Sequence, residues 1–513
     1  MSRLEKSFKN ITLSFGNTMI SSLMGFISRT VFIYVLGKEY LGLSGLLMNV
    51  LGFLSISELG ISTAIGFSLY KPLAENDNRT ISMLMSTYRK AYRVIAMVVL
   101  VSGIVLYFSL DFFVPPEQQP YGTSVAYFAF LLNTVIGYLL SYKTTLINSD
   151  NQGYYLTIIN IIVSVAQTIL QILVLLLTHS YVAYLVIQTV CTIAGMVFCN
   201  RFITKKYQNI DFYSKEHLEP EIKNQLTRNI GGLIVAKIGD YLVNSTDNLI
   251  ITKLISLAAT GIYSNYLMIR NIINGFISTA FSGITASMGN VVAVESTEKK
   301  QELFDALMFV AFFVYSFEAV CFLCLFNTFI GDIWLSKEFV FDSFTVAIIV
   351  INNYLTGLRM PLITMKSAAG TYMEDAWIPF AFAGINLAAS IVLAKHMGVA
   401  GVFLGTIVGS LLTADWYRPV IIYRKVLHTS IRKYYKKYLL YVFLGFLYMG
   451  GAYWLCSFVQ FPFALLNLLV KGIIAATLPL AVNTLLFYKT KEFAMIRSMA
   501  LRLCNGIRKK ISK

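Results

Sequence analysis

The chain has 513 residues, of which 57% are hydrophobic and only 13% charged. That is about half the charged share of ordinary soluble domains, roughly 25%, so most of the chain is not built for water. The net charge of +16 needs no nucleic acid as partner, because basic loops beside anionic lipid headgroups account for it.

Apolar runs of about 20 residues, each long enough to cross the hydrocarbon layer as a helix, recur from end to end. They predict spans at 11–36, 41–70, 86–110, 121–147, 154–177, 181–200, 228–252, 263–291, 304–328, 340–366, 374–394, 399–423, 436–458 and 463–488. The runs lack the alternating polarity of barrel strands, so the fold class is an all-α integral membrane protein of about fourteen transmembrane helices. With both termini in the cytoplasm, the outer loops hold only four of the 42 Lys and Arg, namely Lys38, Lys253, Lys337 and Lys395. This bias is the positive-inside pattern of a multi-pass protein.

The first span follows Arg3, Lys6 and Lys9 but is too long for a signal sequence and has no small-residue cleavage site, so it is expected to persist. At the other end, Phe493, Ile496, Leu503 and Ile507 recur at helical spacing among basic residues. They predict an amphipathic tail over 491–513 lying on anionic lipids at the inner surface, with a disordered basic tail as the alternative reading. The six cysteines are scattered through spans and this tail, so no disulfide framework is implied. Cys321 and Cys324 share a helix face and are read as packing residues. The four histidines, His179, His217, His396 and His428, are isolated, and no metal site is expected. No phosphate-cradling loop, nucleophile elbow or dinucleotide fingerprint is present, so neither cofactor nor catalytic role is expected.

Sliding the chain on itself by 220 residues superposes spans one to six on spans seven to twelve. Ser44 falls on Ser264, Glu75 on Glu295, Asn133 on Asn353, Gly137 on Gly357 and Thr144 on Thr364. The pattern predicts an N-lobe over 1–215, a C-lobe over 216–430, and spans thirteen and fourteen over 431–490 as an appended pair. Units with an even number of spans enter from the same side, as in transporters built of parallel repeats around a central cavity.

Ionisable side chains inside a span cost at least about 2.5 kcal/mol unless a partner or water meets them. Those well inside the spans are Arg29 and Glu58 in the first lobe and Lys237, Asp240, Asp247, Arg270, Glu318 and Arg359 in the second. Arg29, Arg270, Arg359 and Lys237 are the candidate substrate-binding set of a cationic lumen, since guanidinium forks suit phosphate oxygens and keep their charge when desolvated. Glu58, Asp240, Asp247 and Glu318 are candidates for coupling or gating. Internal pairing is the competing reading, above all for Lys237 with Asp240 three residues on. Gly401, Gly405 and Gly409 predict close helix approach, and Pro361 predicts a break in span ten beside Arg359.

The opening segments Ser28-Arg29-Thr30, Leu36-Gly37-Lys38-Glu39-Tyr40-Leu41-Gly42-Leu43 and Ser57-Glu58-Leu59-Gly60 form one set of motifs. Leu69-Tyr70-Lys71-Pro72-Leu73-Ala74-Glu75, Thr246-Asp247-Asn248, Gly261-Ile262-Tyr263-Ser264-Asn265-Tyr266, Gly398-Val399-Ala400-Gly401 and Gly405-Thr406 form another. Together they resemble the polysaccharide-synthesis, Wzx-type flippase branch of the multidrug/oligosaccharidyl-lipid/polysaccharide exporter superfamily. The resemblance implies two six-helix lobes plus a terminal pair, alternating access, and a polyprenyl-pyrophosphate oligosaccharide as cargo, while a proton, sodium or the membrane potential itself stands open as the energy source. It also implies a substrate-contacting role for Arg29 and, in a shifted register, for Arg270. The rival readings are a drug or cation exporter of the same superfamily, a membrane polysaccharide polymerase or ligase, and a non-transporting scaffold. The outward linkers, about a dozen residues at most, are short for a polymerase or ligase.

Overall fold

A computed structural model describes residues 3–54, 61–216, 246–369 and 377–494, together with positions 218, 371, 374 and 497. The chain divides into two compact units, 1–264 and 265–513. In the first are α1 (Arg3–Leu36), α2 (Lys38–Leu54), α3 (Ile61–Glu75), α4 (Asn78–Tyr107), the short α5 (Leu110–Phe113), α6 (Thr123–Ser141), α7 (Thr144–Ser149), α8 (Tyr154–Thr178) and α9 (Tyr181–Lys206). Helix α10 (Leu257–Val294) begins in the first unit and ends in the second. The second unit continues with α11 (Thr297–Asn327), α12 (Ser343–Leu358), α13 (Met360–Ala369), α14 (Ile378–Leu412), α15 (Ala414–Ile422), α16 (Arg432–Ser457) and α17 (Ala464–Phe487). The repeat places a boundary at 215, whereas packing divides the chain at 264, because the start of α10 is seated on α2.

In hydrocarbon every backbone amide must be satisfied within the segment, which leaves the helix as the form these apolar runs adopt. Helix starts are closed by short polar side chains. Asp77 accepts from the Thr80 amide at 3.0 Å, Ser180 from Ala183 at 3.3 Å, and Asp342 from Thr345 at 3.0 Å. Hydrogen bonds from Thr80 hold the exposed Asp77 carboxyl below its ordinary range. On α16, Leu439, Phe443, Leu447 and Trp454 are exposed, an apolar surface fit for acyl chains.

Ten helices among the described residues are long and apolar enough to span a membrane. Predicted spans eleven and twelve form one of these, Ile378–Leu427, which folds back at Gly398 (φ 57°, ψ −134°). Span seven up to residue 245 and the middle of span two lie outside the described residues. Spans four and ten are each two helices. The first parts at 142–143 and the second at Arg359, where Pro361 sits in the first turn of α13.

These breaks recur at the repeat distance. Shifted by 220, α4 becomes 298–327 against Thr297–Asn327, and α6 becomes 343–361 against Ser343–Leu358. The turn between α8 and α9, where His179 takes φ 49°, falls one residue from Gly398. Asn133 and Asn353 also act alike. Each donates from Nδ2 to a neighbouring helix of its own unit, Asn133 to Thr189 at 3.2 Å and Asn353 to Glu318 at 3.1 Å.

Two contacts depend on the absence of a Cβ. In the first unit α2 crosses the start of α10 so closely that a Cβ on Gly42 would lie 2.1 Å from the Leu257 carbonyl oxygen. One on Gly261 would lie 2.1 Å from that of Lys38. In the second, the two legs of α14 run antiparallel. A Cβ on Gly401 would meet the Leu393 carbonyl oxygen at 2.2 Å, and one on Gly405 the Ser390 amide nitrogen at 2.4 Å. The four-residue glycine spacing is therefore a packing device, as its pattern predicted. Ser390 and Thr406 seal the seam through Asn386 Oδ1, at 2.8 and 3.2 Å.

The appended helices are pinned by tyrosines. Tyr354 of α12 donates to the Tyr441 carbonyl at 2.6 Å, and Tyr448 of α16 donates to Asn483 of α17 at 2.9 Å. Lys437 joins Asp305 at 3.0 Å and Glu492 at 2.8 Å, tying the first described turn of the tail to α11 and α16. Most of the predicted amphipathic tail, including Ile496, Leu503 and Ile507, lies outside the described residues.

The seam in α14 yields a direct test. Gly405→Val should lower stability by about 3 kcal/mol or more, because the Ser390 backbone, and not its hydroxyl alone, meets the new atoms. Gly384→Ala, which meets nothing within 4 Å, should leave the melting temperature unchanged or slightly raised. Thermal unfolding of both variants in detergent checks the pair.

Candidate functional site

Arg29 projects from the second half of α1. Its Nη2 donates to Ser264 Oγ at 2.5 Å, and Ser264 in turn donates to the Gly261 carbonyl at 2.6 Å. The hydroxyl is thereby oriented as an acceptor. The Nε of Arg29 is buried without a hydrogen-bond partner, and among the described residues no carboxylate pairs with its guanidinium. Around it stands an aromatic wall. Phe32 meets Tyr184 edge-on at 5.1 Å and Tyr181 at 5.9 Å, and the two tyrosine rings are stacked at 6.4 Å. Tyr181 is fixed by Ser44 at 2.8 Å, while Tyr184 reaches Ser28 and Gln171. The result is a cation held by one neutral hydroxyl in a largely dehydrated setting, with donor capacity unused.

In the second unit Arg270 lies on α10 with its Nε likewise buried and unpartnered. One turn on, Asn274 donates to Asn353 Oδ1 at 3.2 Å, and Asn353 donates to Glu318 Oε2 at 3.1 Å. Glu318 is 3% exposed, and its Oε1 has no hydrogen-bond partner. Arg270 and Tyr315 lie within electrostatic range of this carboxyl, yet Arg270 forms no ion pair with it. The sequence-predicted Arg270 and Glu318 thus share one polar network, braced by two asparagines that sequence reasoning assigned no role beyond a repeat match.

Arg359 departs from the lumen reading. Its Nε lies 3.3 Å from Asp415 Oδ1, with both side chains at least nine-tenths buried, and its Nη2 donates to Thr356 Oγ1 at 3.0 Å. The approach to Asp415 is too oblique for an aligned hydrogen bond, so charge attraction joins the break after α12 to the start of α15. Arg359 is thus paired with Asp415, a residue not counted among the intramembrane charges in the sequence, which is the internal pairing that competes with a lumen role. Asp247 lies in a helical stretch over 246–254 and is engaged by partners of its own. Glu58, Lys237 and Asp240, with the proposed pairing of the last two, lie outside the described residues. No group of three or more His, Cys, Asp or Glu that could hold a metal occurs among the described residues.

Sequence reasoning also passed over α8. Asn160, Ser164, Gln167, Thr168 and Gln171 follow helical spacing along one side of the helix, while Ile162, Ile169, Leu173 and Leu176 are exposed on the other. A polar stripe on so apolar a helix is a periodic signal that the residue order alone carries.

Removing one partner of the Arg359–Asp415 pair should cost about 3–5 kcal/mol by stranding the other charge. The paired replacement Arg359→Met with Asp415→Leu should recover most of it. Unfolding midpoints of the two single variants and the double variant provide the measurement.

The family model described as polysaccharide biosynthesis protein matches residues 7–285, just over half the chain. No curated protein matches. Among solved structures, the lipid II flippase MurJ in an inward closed conformation aligns with TM-score 0.63 and 14% identity, over 92% of this chain and 99% of that one. A mutant form of the Vibrio cholerae MATE transporter VcmN aligns with TM-score 0.55 and 12% identity, over 84% of this chain and 99% of that one. An inward-facing multidrug resistance MATE family transporter of the MOP superfamily aligns with TM-score 0.55 and 13% identity, over 79% and 95%. At these identities the likeness establishes a shared fold. The fold is thus the multi-helix membrane transporter fold expected from the motifs, and the chain belongs to the polysaccharide biosynthesis protein family.

Proposed function

We propose that the protein is a flippase that carries polyprenyl-pyrophosphate-linked oligosaccharide units across the bacterial cytoplasmic membrane for capsular or exopolysaccharide synthesis. Both termini are cytoplasmic in this reading, and the two six-helix lobes alternate between inward and outward arrangements. The observation that carries it is Arg29, a guanidinium within a predicted span that has an unused buried donor and no carboxylate partner among the described residues. Such a group is costly to keep in a membrane unless an anion comes to it. A pyrophosphate supplies the oxygens, and Arg270, also unpaired, supplies a second fork.

The polyprenyl tail stays in lipid throughout, and no bond is made or broken. Differential binding of cargo or of a coupling ion to the two arrangements drives the change between them. Glu318 is the coupling carboxyl best supported by its surroundings, since it is buried with one oxygen free. Asp247, Glu58 and Asp240 remain secondary candidates for coupling or gating, and Lys237 for the cationic set.

Reconstitution with a fluorescent lipid-linked oligosaccharide tests the reading. Arg29→Ala and Arg270→Ala should each slow leaflet transfer by at least about tenfold, equivalent to roughly 1.4 kcal/mol, with Arg29→Lys intermediate. Unchanged transfer by both alanine variants would overturn the cationic mechanism. Movement of a cationic dye without the lipid would instead favour an exporter.

A further inference from the structure

Within the first unit a cavity of about 280 Å³ opens between α6, α7, α8 and α9. Its polar lining includes Thr144, Asn160, Ser164, Gln167, Thr168 and Thr192, with no carboxylate, lysine or arginine. Met196, Val163 and Gly195 supply apolar wall, and the free Cys199 lies at its edge.

Among the described residues no hydrogen bond joins the side chains of Asn160, Ser164 or Thr192 to protein, and Asn160 is exposed while Ser164 and Thr192 are half-buried, so all three are open to water or to a guest. Polar side chains that face an open cavity and spend no hydrogen bond on protein offer those bonds to water or to a guest that both donates and accepts. The lining holds hydroxyls and amides without charge, which disfavours an anion or an unaccompanied cation and suits a neutral polyol. The volume is at the small end for ligand pockets, on the order of 300–1,000 Å³. It therefore suits one ring and not a whole oligosaccharide. Apolar and polar walls together match a pyranose, which presents C–H faces as well as hydroxyl edges.

We infer that this cavity is a recognition subsite for a single neutral sugar ring of the cargo, resting on the flippase reading for the identity of that cargo. Asn160, Ser164 and Thr192 are its specificity-determining residues. Cargo whose ring fits is retained long enough to be carried, and a lipid lacking the ring forgoes that contact.

Two measurements test the subsite. In a chain retaining Cys199 alone, with Cys191, Cys321, Cys324, Cys456 and Cys504 replaced by Ala, a small neutral methanethiosulfonate should modify Cys199. At least one member of a panel of methyl glycosides of glucose, galactose and N-acetylglucosamine should slow that modification several-fold, and Asn160→Leu should abolish the protection. No modification, or protection by sodium salts and by none of the glycosides, would overturn the assignment. Independently, in the otherwise native chain, Ser164→Leu fills the cavity. It should slow transfer of the sugar-bearing lipid about tenfold while leaving transfer of sugar-free polyprenyl pyrophosphate unchanged. Equal slowing of both lipids, or of neither, sinks the subsite. If Arg29→Ala is without effect while Ser164→Leu still separates the two lipids, the cationic mechanism fails and the subsite stands.

Discussion

Inside a bilayer a polar group has no water to fall back on, and this scarcity of partners gives each buried charge and hydroxyl of the chain its meaning. Where the protein supplies the partner, the group is structural. Arg359 finds Asp415 and Thr356, and Ser390 finds Asn386. At Arg29 Nε and Glu318 Oε1 no hydrogen-bond partner is found among the described residues, and the proposed flippase role rests on those two groups.

The scaffold around these groups is held by close backbone approach and by aromatic pins, with few ion pairs. Gly42 and Gly261 let two helices of the first unit touch carbonyl to Cα, and Gly401 and Gly405 do the same for the legs of α14. Such contacts suit a membrane interior, where burial from water drives little association and shape fit takes over. Tyr354 and Tyr448 then anchor the terminal helices by single hydrogen bonds to groups deep in the bundle.

Much of this is legible in the sequence because it is local. Hydropathy runs, the 220-residue offset, the glycine spacing and the break at Pro361 are properties of neighbouring residues, and each reappears in the helix ends or contacts. What escapes such reading depends on distant chain. Arg29 meets Ser264 across 235 residues, and nothing near Arg359 announces Asp415. The polar stripe of α8 is a different kind of miss. It is periodic and local, but attention to charge concealed a pattern made of amides and hydroxyls.

Duplication leaves each half with a counterpart of the other's features, and the Arg359–Asp415 strut shows what divergence has done. By the 220-residue offset Asp415 corresponds to Gly195, and Arg359 to Leu139, next to Leu140. Gly195 and Leu140 both line the cavity of the first unit. The place left hollow in one copy is plugged in its twin by a pair of opposite charges. Positions that line or adjoin a cavity in the first repeat thus correspond to a charge pair in the second, so a change of lining in the first half leaves that pair untouched.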